Sequence, residues 1–263
     1  MFNFCSLYSG STGNCLLVQT DESNILIDVG VSQKKITSAL ASFNIELDDI
    51  DAIFVTHEHS DHVLNLGSIS KRYNIPIFCN KETLAAMPNQ EAKIADENKN
   101  IFNNEKNFTF KDLTIRPFSI PHDAANPVGF NIFHDNKKIT IGTDIGHMDT
   151  NLIANFQDSN FVLLEANYDP DILKYSKYPF QLKQRILSSK GHLSNESAGK
   201  TLCKLIIDSN LSTAMLGHLS KENNFPELAV KTVLDELSNQ DIPHQKLSLD
   251  VASRDFPSKI IKI

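Results

Sequence analysis

Short apolar runs alternate along the chain with longer stretches in which apolar positions recur every three or four residues. The short runs are bounded by Gly, Asn, Asp or Ser and are too brief for helices, so they predict strands at 2–8, 15–20, 24–28, 52–55, 76–79, 113–119, 128–134, 138–143, 160–165, 213–217 and 246–250. The longer stretches predict helices at 32–43, 62–73, 82–87, 148–156, 179–189, 194–208 and 226–238. Pro226 suits a first helical position, and Glu227 follows it at the positive end of the helix dipole. Asn136 marks a hairpin turn between 128–134 and 138–143. Residues 89–107 are polar and Asn-rich without periodicity, which predicts a surface loop. The pattern falls into two similar halves, as expected for an α/β fold of two sheets packed face to face with helices outside.

One segment changes this picture from architecture to chemistry. Directly after the apolar run Ile53-Phe54-Val55 stand His57-Glu58-His59-Ser60-Asp61-His62, three imidazoles and two carboxylates in six residues. On an extended chain, side chains two apart point the same way, so His57 and His59 can converge on one ion while Asp61 and His62 turn to a neighbouring point. Two ions need further ligands. Asp28, His122, Asp144 and His218 each follow an apolar, strand-like run, and strand ends are where layered α/β proteins collect functional groups.

The order of these residues resembles the metallo-β-lactamase-fold hydrolases from Asp28 to His218. That resemblance implies a four-layer αββα sandwich. It also implies that His57, His59 and His122 hold one ion, Asp61, His62 and His218 the other, Asp144 bridges both and Asp28 orients the cluster. Finer features are the opening Phe4-Cys5-Ser6-Leu7-Tyr8-Ser9-Gly10-Ser11-Thr12-Gly13-Asn14-Cys15, then Gly191-His192-Leu193-Ser194-Asn195-Glu196 and Gly217-His218-Leu219-Ser220-Lys221-Glu222-Asn223-Asn224. These resemble the YycJ/WalJ-type branch, which implies metal-dependent 5′-to-3′ DNA exonuclease activity. In phosphodiesterases of the superfamily a His works beside the metals, partnered by a Glu in a motif like Leu164-Glu165-Ala166-Asn167. Carried over, His192 becomes the general acid and Glu165 the carboxylate that orients it.

The chemistry of that ligand set is specific. Five neutral imidazoles with Asp61 and Asp144 leave two divalent ions a residual positive charge suited to a phosphodiester. Such ions lower the pKa of bound water from 15.7 to about 7, which supplies hydroxide as the attacking group. The nitrogen-rich set favours zinc, leaves manganese or iron open and argues against magnesium. Asp61 and the His192–Glu165 pair weigh toward phosphodiesters. RNA processing, a small-molecule phosphodiester, or thioester and lactam hydrolysis on the same fold are the alternatives.

Charge bears on the substrate. The net charge of −7 argues against a protein that coats nucleic acid, yet the segment 171–190 carries a net +4 from Lys174, Lys177, Lys183, Arg185 and Lys190 against Asp171. Tyr175, Tyr178 and Phe180 are interleaved with these cations, as a track for a single-stranded DNA end requires. Lys177, Lys183 and Arg185 are the expected substrate contacts, and a solvated helix with aromatic anchors in the core is the alternative. The loop Ser9–Asn14 offers Asn14 and backbone N–H groups to phosphate, or is an ordinary hairpin connection. Gly-His-Leu-Ser recurs at 191–194 and 217–220, which suggests two similar strand-to-helix corners facing one site. His134, His147 and His244 fall outside the pattern and are expected in turns or at the surface.

Length and composition set the remaining expectations. Ligands spread over most of 263 residues predict a single domain, 1–263. No long apolar stretch or signal peptide is evident, so a cytoplasmic protein without a membrane contact is expected. Cys5, Cys15, Cys79 and Cys203 are scattered and read as reduced, buried apolar residues.

Overall fold

The computed structural model describes all residues, Met1–Ile263. Two compact units divide it. One comprises Met1–Ser119, Ala124–Val128 and Ser253–Ile263, and the other Ile120–Asp123 and Gly129–Ala252.

In the first unit a sheet runs from the strand Ile261–Lys262 through Asn3–Tyr8, Cys15–Gln19, Asn24–Ile27, Ala52–Phe54 and Ile77–Cys79 to Lys99–Ile101. Asn3–Tyr8 and Cys15–Gln19 pair antiparallel, as do Cys15–Gln19 and Asn24–Ile27, and from Asn24–Ile27 onward the pairing is parallel. Asn3–Tyr8 is buried at every position, including the apolar residues Phe4, Cys5 and Leu7, which is the signature of a strand covered on both faces. The helix Gln33–Ala41 is capped by Ser32 and buries Ile36, Ala39 and Leu40, the one-sided spacing that predicted it.

Three expectations for this unit need correction. The helix expected over 62–73 is two, Ser60–Val63 and Leu66–Tyr73, interrupted at Asn65, whose amide donates to Val31 O at 2.8 Å. The loop expected over 89–107 contains the short helix Pro88–Glu91 at its start, a 3-10 turn at Asp96–Asn98 and the edge strand Lys99–Ile101. That strand is half-exposed, so its polar composition hid it. Phe108–Phe110 is a further strand, paired antiparallel with Leu113–Ser119. Phe108 stacks with Phe54, Phe78 and Phe102 while Phe110 meets Phe54 and Phe78 edge-on, and the strand is too short for an alternation to register.

In the second unit the strands run Ser248–Val251, Thr213–Gly217, Phe161–Glu165, Lys137–Gly142, Val128–His134. The last two form the expected hairpin, with His134 opposite Lys137 and Asp135 in the left-handed region at the turn. The others are parallel, and Phe161, Val162, Leu163 and Leu164 are fully buried, as a central parallel strand requires. Helix Asn195–Ser209 begins on Ser194, which accepts from Ser197 N–H, and Pro226–Asn239 starts as predicted on Pro226. Gly199 lets these two helices close, since a Cβ there would sit 2.8 Å from Glu236 Cγ. Pro170–Tyr175 is an unexpected helix, although Asp169 as cap and Pro170 at the first position are its ordinary start signals. The four cysteines are free and buried, and burial pushes the Cys5 thiol up to about 11 and Cys79 to about 12.

Candidate metal centre

Each unit gathers its own cluster at strand ends. In the first, Asp28 follows Asn24–Ile27 with φ +62°, a left-handed conformation that turns its carboxylate back across the next strand end. Asp28 Oδ1 accepts from Thr56 N–H at 2.9 Å, and Oδ2 accepts from the Thr56 hydroxyl at 2.8 Å. The same Oδ2 lies 2.7 Å from His62 Nδ1, and Thr56 Oγ1 lies 3.0 Å from His57 Nδ1. Because a carboxylate only accepts, His62 donates through Nδ1–H. Because the Thr56 proton goes to Asp28, His57 donates to Oγ1 in the same way. The partners thus assign both tautomers, and Nε2 is the atom each ring has for accepting a proton donor or a metal.

The expected convergence of His57 and His59 is present, with ring centroids 4.7 Å apart, and His57 and His62 stand at 4.1 Å. Strand alternation is not its cause. The strand ends at Phe54, and His59 caps the helix Ser60–Val63 from a β conformation. Asp61 Oδ2 lies 3.6 Å from His62 Nε2. The backbone of this segment is pinned by Asn14 N–H to Asp61 O and Val29 N–H to His62 O, both 2.8 Å. Gly30 must be glycine here, because a Cβ would sit 1.6 Å from Asp61 O. Asn14 is buried; its amide nitrogen reaches Gly10 O at 3.2 Å and His62 Nε2 at 3.1 Å, and its oxygen accepts from Gly10 N–H.

In the second unit the ligand atoms of Asp144, Glu165, His192 and His218 all lie within 4.8 Å of one another. Asp144 and His218 adopt φ +60° and +57° just past the strands Lys137–Gly142 and Thr213–Gly217. Glu165 ends its strand fully buried. Its Oε1 accepts from His192 Nδ1 at 2.9 Å and His218 Nδ1 at 2.7 Å. Its Oε2 accepts from Ile145 N–H at 2.7 Å and Leu193 N–H at 3.1 Å. Burial pushes the Glu165 carboxyl up, but the two imidazoles outweigh it and hold it below the usual carboxylate value. Both rings are therefore fixed with Nε2 outward.

His122 stands beside this cluster. It donates through Nδ1 to Gly191 O at 3.1 Å, which turns Nε2 toward Asp144 Oδ1 at 3.6 Å. Burial lowers its pKa, against the opposing pull of Asp144, so the ring is held neutral, the state in which an imidazole can bind a metal. Asp144 Oδ1 is also 3.5 Å from His218 Nδ1 and 3.7 Å from His192 Nδ1. Buried imidazoles of fixed tautomer around a shared carboxylate form a donor set that fits a divalent transition metal.

The Gly-His-Leu-Ser recurrence has a structural counterpart, since both of its histidines bond the same Glu165 oxygen. Only 217–220 follows a strand; 191–194 leads from a loop into helix Asn195–Ser209. Asn167 was missed. It donates to His218 O at 2.8 Å, and it stands in the quoted string Leu164-Glu165-Ala166-Asn167. His147 and His244 bond Ser189 O and Ser238 Oγ, and His134 ends a strand, in keeping with the peripheral role expected of them.

In the basic segment, Lys183 Nζ donates to Lys174 O at 2.8 Å and Ser176 O at 2.7 Å, and Arg185 forks onto Asp123. Tyr175 and Phe180 are 78% and 74% exposed, so neither is a core anchor. Lys177, Tyr175 and Tyr178 line a groove with Asp171 and Glu222.

The profile of the family described as "Beta-lactamase superfamily domain" matches residues 23–218. Exodeoxyribonuclease WalJ from Streptococcus pneumoniae is 38% identical over 243 residues, 92% of this chain and 90% of its own. Exodeoxyribonuclease YycJ from Bacillus anthracis is 36% identical over 89% of each chain. The metallo-β-lactamase fold protein YhfI from Bacillus subtilis superposes with a TM-score of 0.73 at 16% identity, covering 98% of this chain and 100% of its own, which shows the fold class that the alternation of elements led us to expect. With that fold and these relatives, the chain belongs to the β-lactamase superfamily and is a metal-dependent hydrolase of the metallo-β-lactamase fold.

Proposed function

We propose that the protein is a dinuclear metal-dependent exonuclease that degrades DNA from a 5′ end. The observation that carries this reading is the pair of imidazoles on Glu165 Oε1: His218 is buried, whereas the His192 side chain is 15% exposed. In this reading the buried ring ligates and the more exposed one meets substrate. WalJ and YycJ, named as exodeoxyribonucleases, support DNA as the substrate.

In this reading His57, His59 and His122 hold one ion, Asp61, His62 and His218 the second, and Asp144 serves both, so that the whole chain 1–263 works as one domain. Zinc or manganese suits the donors, with iron open. When bound, the ions supply hydroxide at neutral pH and neutralise charge on the phosphodiester. The chain's own residues do the rest. Asp28 and Thr56 orient His57 and His62, and Glu165 fixes His218 and His192. Glu165 occupies His192 Nδ1, so the proton delivered to the leaving oxygen resides on Nε2. Lys177, with Tyr175 and Phe180, guides the incoming strand. A cytoplasmic location belongs to the same proposal; no helix is long and apolar enough to cross a membrane.

The test is incubation of metal-loaded protein with end-labelled single- and double-stranded DNA and RNA, beside a thioester and a β-lactam. Mononucleotides released from the 5′ end of DNA are expected. Turnover confined to the thioester, the lactam or RNA would overturn the reading.

A further inference from the structure

Each Gly-His-Leu-Ser string is followed by a buried asparagine, Asn195 directly after the first and Asn224 a few residues beyond the second. Their side chains pair reciprocally. Asn195 Nδ2 donates to Asn224 Oδ1 at 3.0 Å, and Asn224 Nδ2 donates to Asn195 Oδ1 at 2.8 Å. Asn224 Nδ2 also donates to Ala166 O at 2.8 Å, while its Oδ1 accepts from Phe225 N–H at 3.0 Å. A carbonyl only accepts and an N–H only donates, so these backbone partners fix which way the Asn224 amide points, and both of its hydrogens and both of its lone pairs are used. The stretch from Ala166 to Asp169, which continues the strand ending in Glu165, is bonded to both strings. On one side Asn167 N–H donates to Leu193 O at 2.8 Å and Asn195 N–H to Tyr168 O at 3.0 Å. On the other, Ala166 N–H donates to Gly217 O at 3.0 Å and Ser220 N–H to Asn167 O at 2.8 Å. Glu165 Oε1 therefore joins the two imidazoles, and the asparagine pair joins the segments that carry them.

We infer that Asn195 and Asn224 are positioning residues, a buried amide pair that sets the place of His192 relative to His218. The two ring centroids stand 5.4 Å apart. Satisfied polar networks in a low-dielectric interior are stiff, so the pair resists any sliding of one segment past the other. Removing the Asn195 amide is a narrow change. Asn224 keeps its bonds to Ala166 O and Phe225 N–H, and the segment of His192 keeps its backbone bonds, but the direct side-chain link to the segment of His218 is gone. For catalysis this rests on His192 acting as general acid in the proposed nuclease, where a displacement of about 1 Å costs on the order of 10²-fold in rate.

The test measures kcat on DNA and on a nitrophenyl diester for the metal-loaded wild type, Asn195→Ala, His192→Ala and the double variant. Asn195→Ala should lower the ratio of DNA to diester turnover by about ten- to hundredfold, because only DNA needs the proton from a well-placed His192. In the His192→Ala background the same change should leave the ratio where it is, since a residue that acts through His192 has nothing left to act on. Equal losses on both substrates, or a full further fall in the double variant, overturn the positioning role and leave the nuclease standing. A second measurement needs neither a variant nor catalysis. In the metal-free wild type, NMR should show the side-chain amide protons of Asn195 and Asn224 exchanging with solvent together with the Nδ1 protons of His192 and His218, because one opening frees them all. Amide protons that exchange well ahead of the ring protons overturn the pairing. If the wild type cleaves no DNA, the nuclease reading falls, and this exchange measurement alone judges the asparagine pair, as it does if Asn195→Ala does not fold.

Discussion

At the scale of single residues, Glu165 carries four hydrogen bonds on two oxygens, two from imidazoles and two from backbone N–H groups. Only an ionised carboxylate accepts at all four, so Glu165→Gln turns an amide NH2 toward donors. It should cost at least about 2 kcal/mol of stability, the scale of an unmet buried hydrogen bond, and it should lower metal content because His218 loses its orientation. His192→Ala is different in kind. It should keep the metal and lower turnover on DNA by roughly 10²–10⁴-fold, the usual share of general acid catalysis, while a nitrophenyl diester, whose leaving group needs little protonation, is hydrolysed almost normally. Metal analysis of the two variants separates the roles, and equal losses on both substrates would remove His192 from the acid's part.

At the scale of elements, the basic segment divides into parts that bind within the chain and parts that face water. Lys183 closes the carbonyl end of Pro170–Tyr175 and Arg185 is held by Asp123, so Lys183→Gln should speed hydrogen exchange over 170–187 more than it flattens the salt dependence of DNA binding. Tyr175→Ala and Phe180→Ala should each weaken single-stranded DNA binding by about 1–3 kcal/mol, the value of one stacked base, with little change in folding because both rings are exposed. Unchanged affinity in both would make the segment a solvated surface. The same segment shows what the sequence could and could not convey. Strands with continuous apolar runs, such as Phe161–Glu165, and capped amphipathic helices, such as Asn195–Ser209, were legible because burial writes itself into composition. Pro170–Tyr175 and Lys99–Ile101 were not, since each is short and only partly buried. The candidate ligands were legible because their chemistry is rare. The partners that fix them, Thr56 and Asn167, use ordinary residue types whose meaning comes only from geometry.

At the scale of the molecule, the same groups make stability depend on pH. His122 has its pKa lowered by burial, so the native protein resists a proton that the unfolded chain accepts below its ordinary value of 6.5. Stability from this group is complete above that value and declines as pH falls below it, until the native pKa is reached. Glu165 acts in the same direction further down. Its carboxyl is held below its ordinary value of 4.5, so its contribution is present above 4.5 and is lost as pH falls through the native value. Both contributions are close to complete between pH 7 and 8, so these two groups should place the highest urea midpoint of the metal-free protein there, with a fall as pH drops through about 6.5 and a second below about 4.5. Restoring zinc or manganese should raise the midpoint most near neutral pH, because ions bind deprotonated ligands and stabilise the native state by mass action. Urea titrations at pH 7.5, 5.5 and 4.0, with and without metal, check both claims. A midpoint unchanged from 7.5 to 5.5 would mean that His122 titrates alike in the folded and unfolded chain, and the buried, neutral ligand ascribed to it would be wrong.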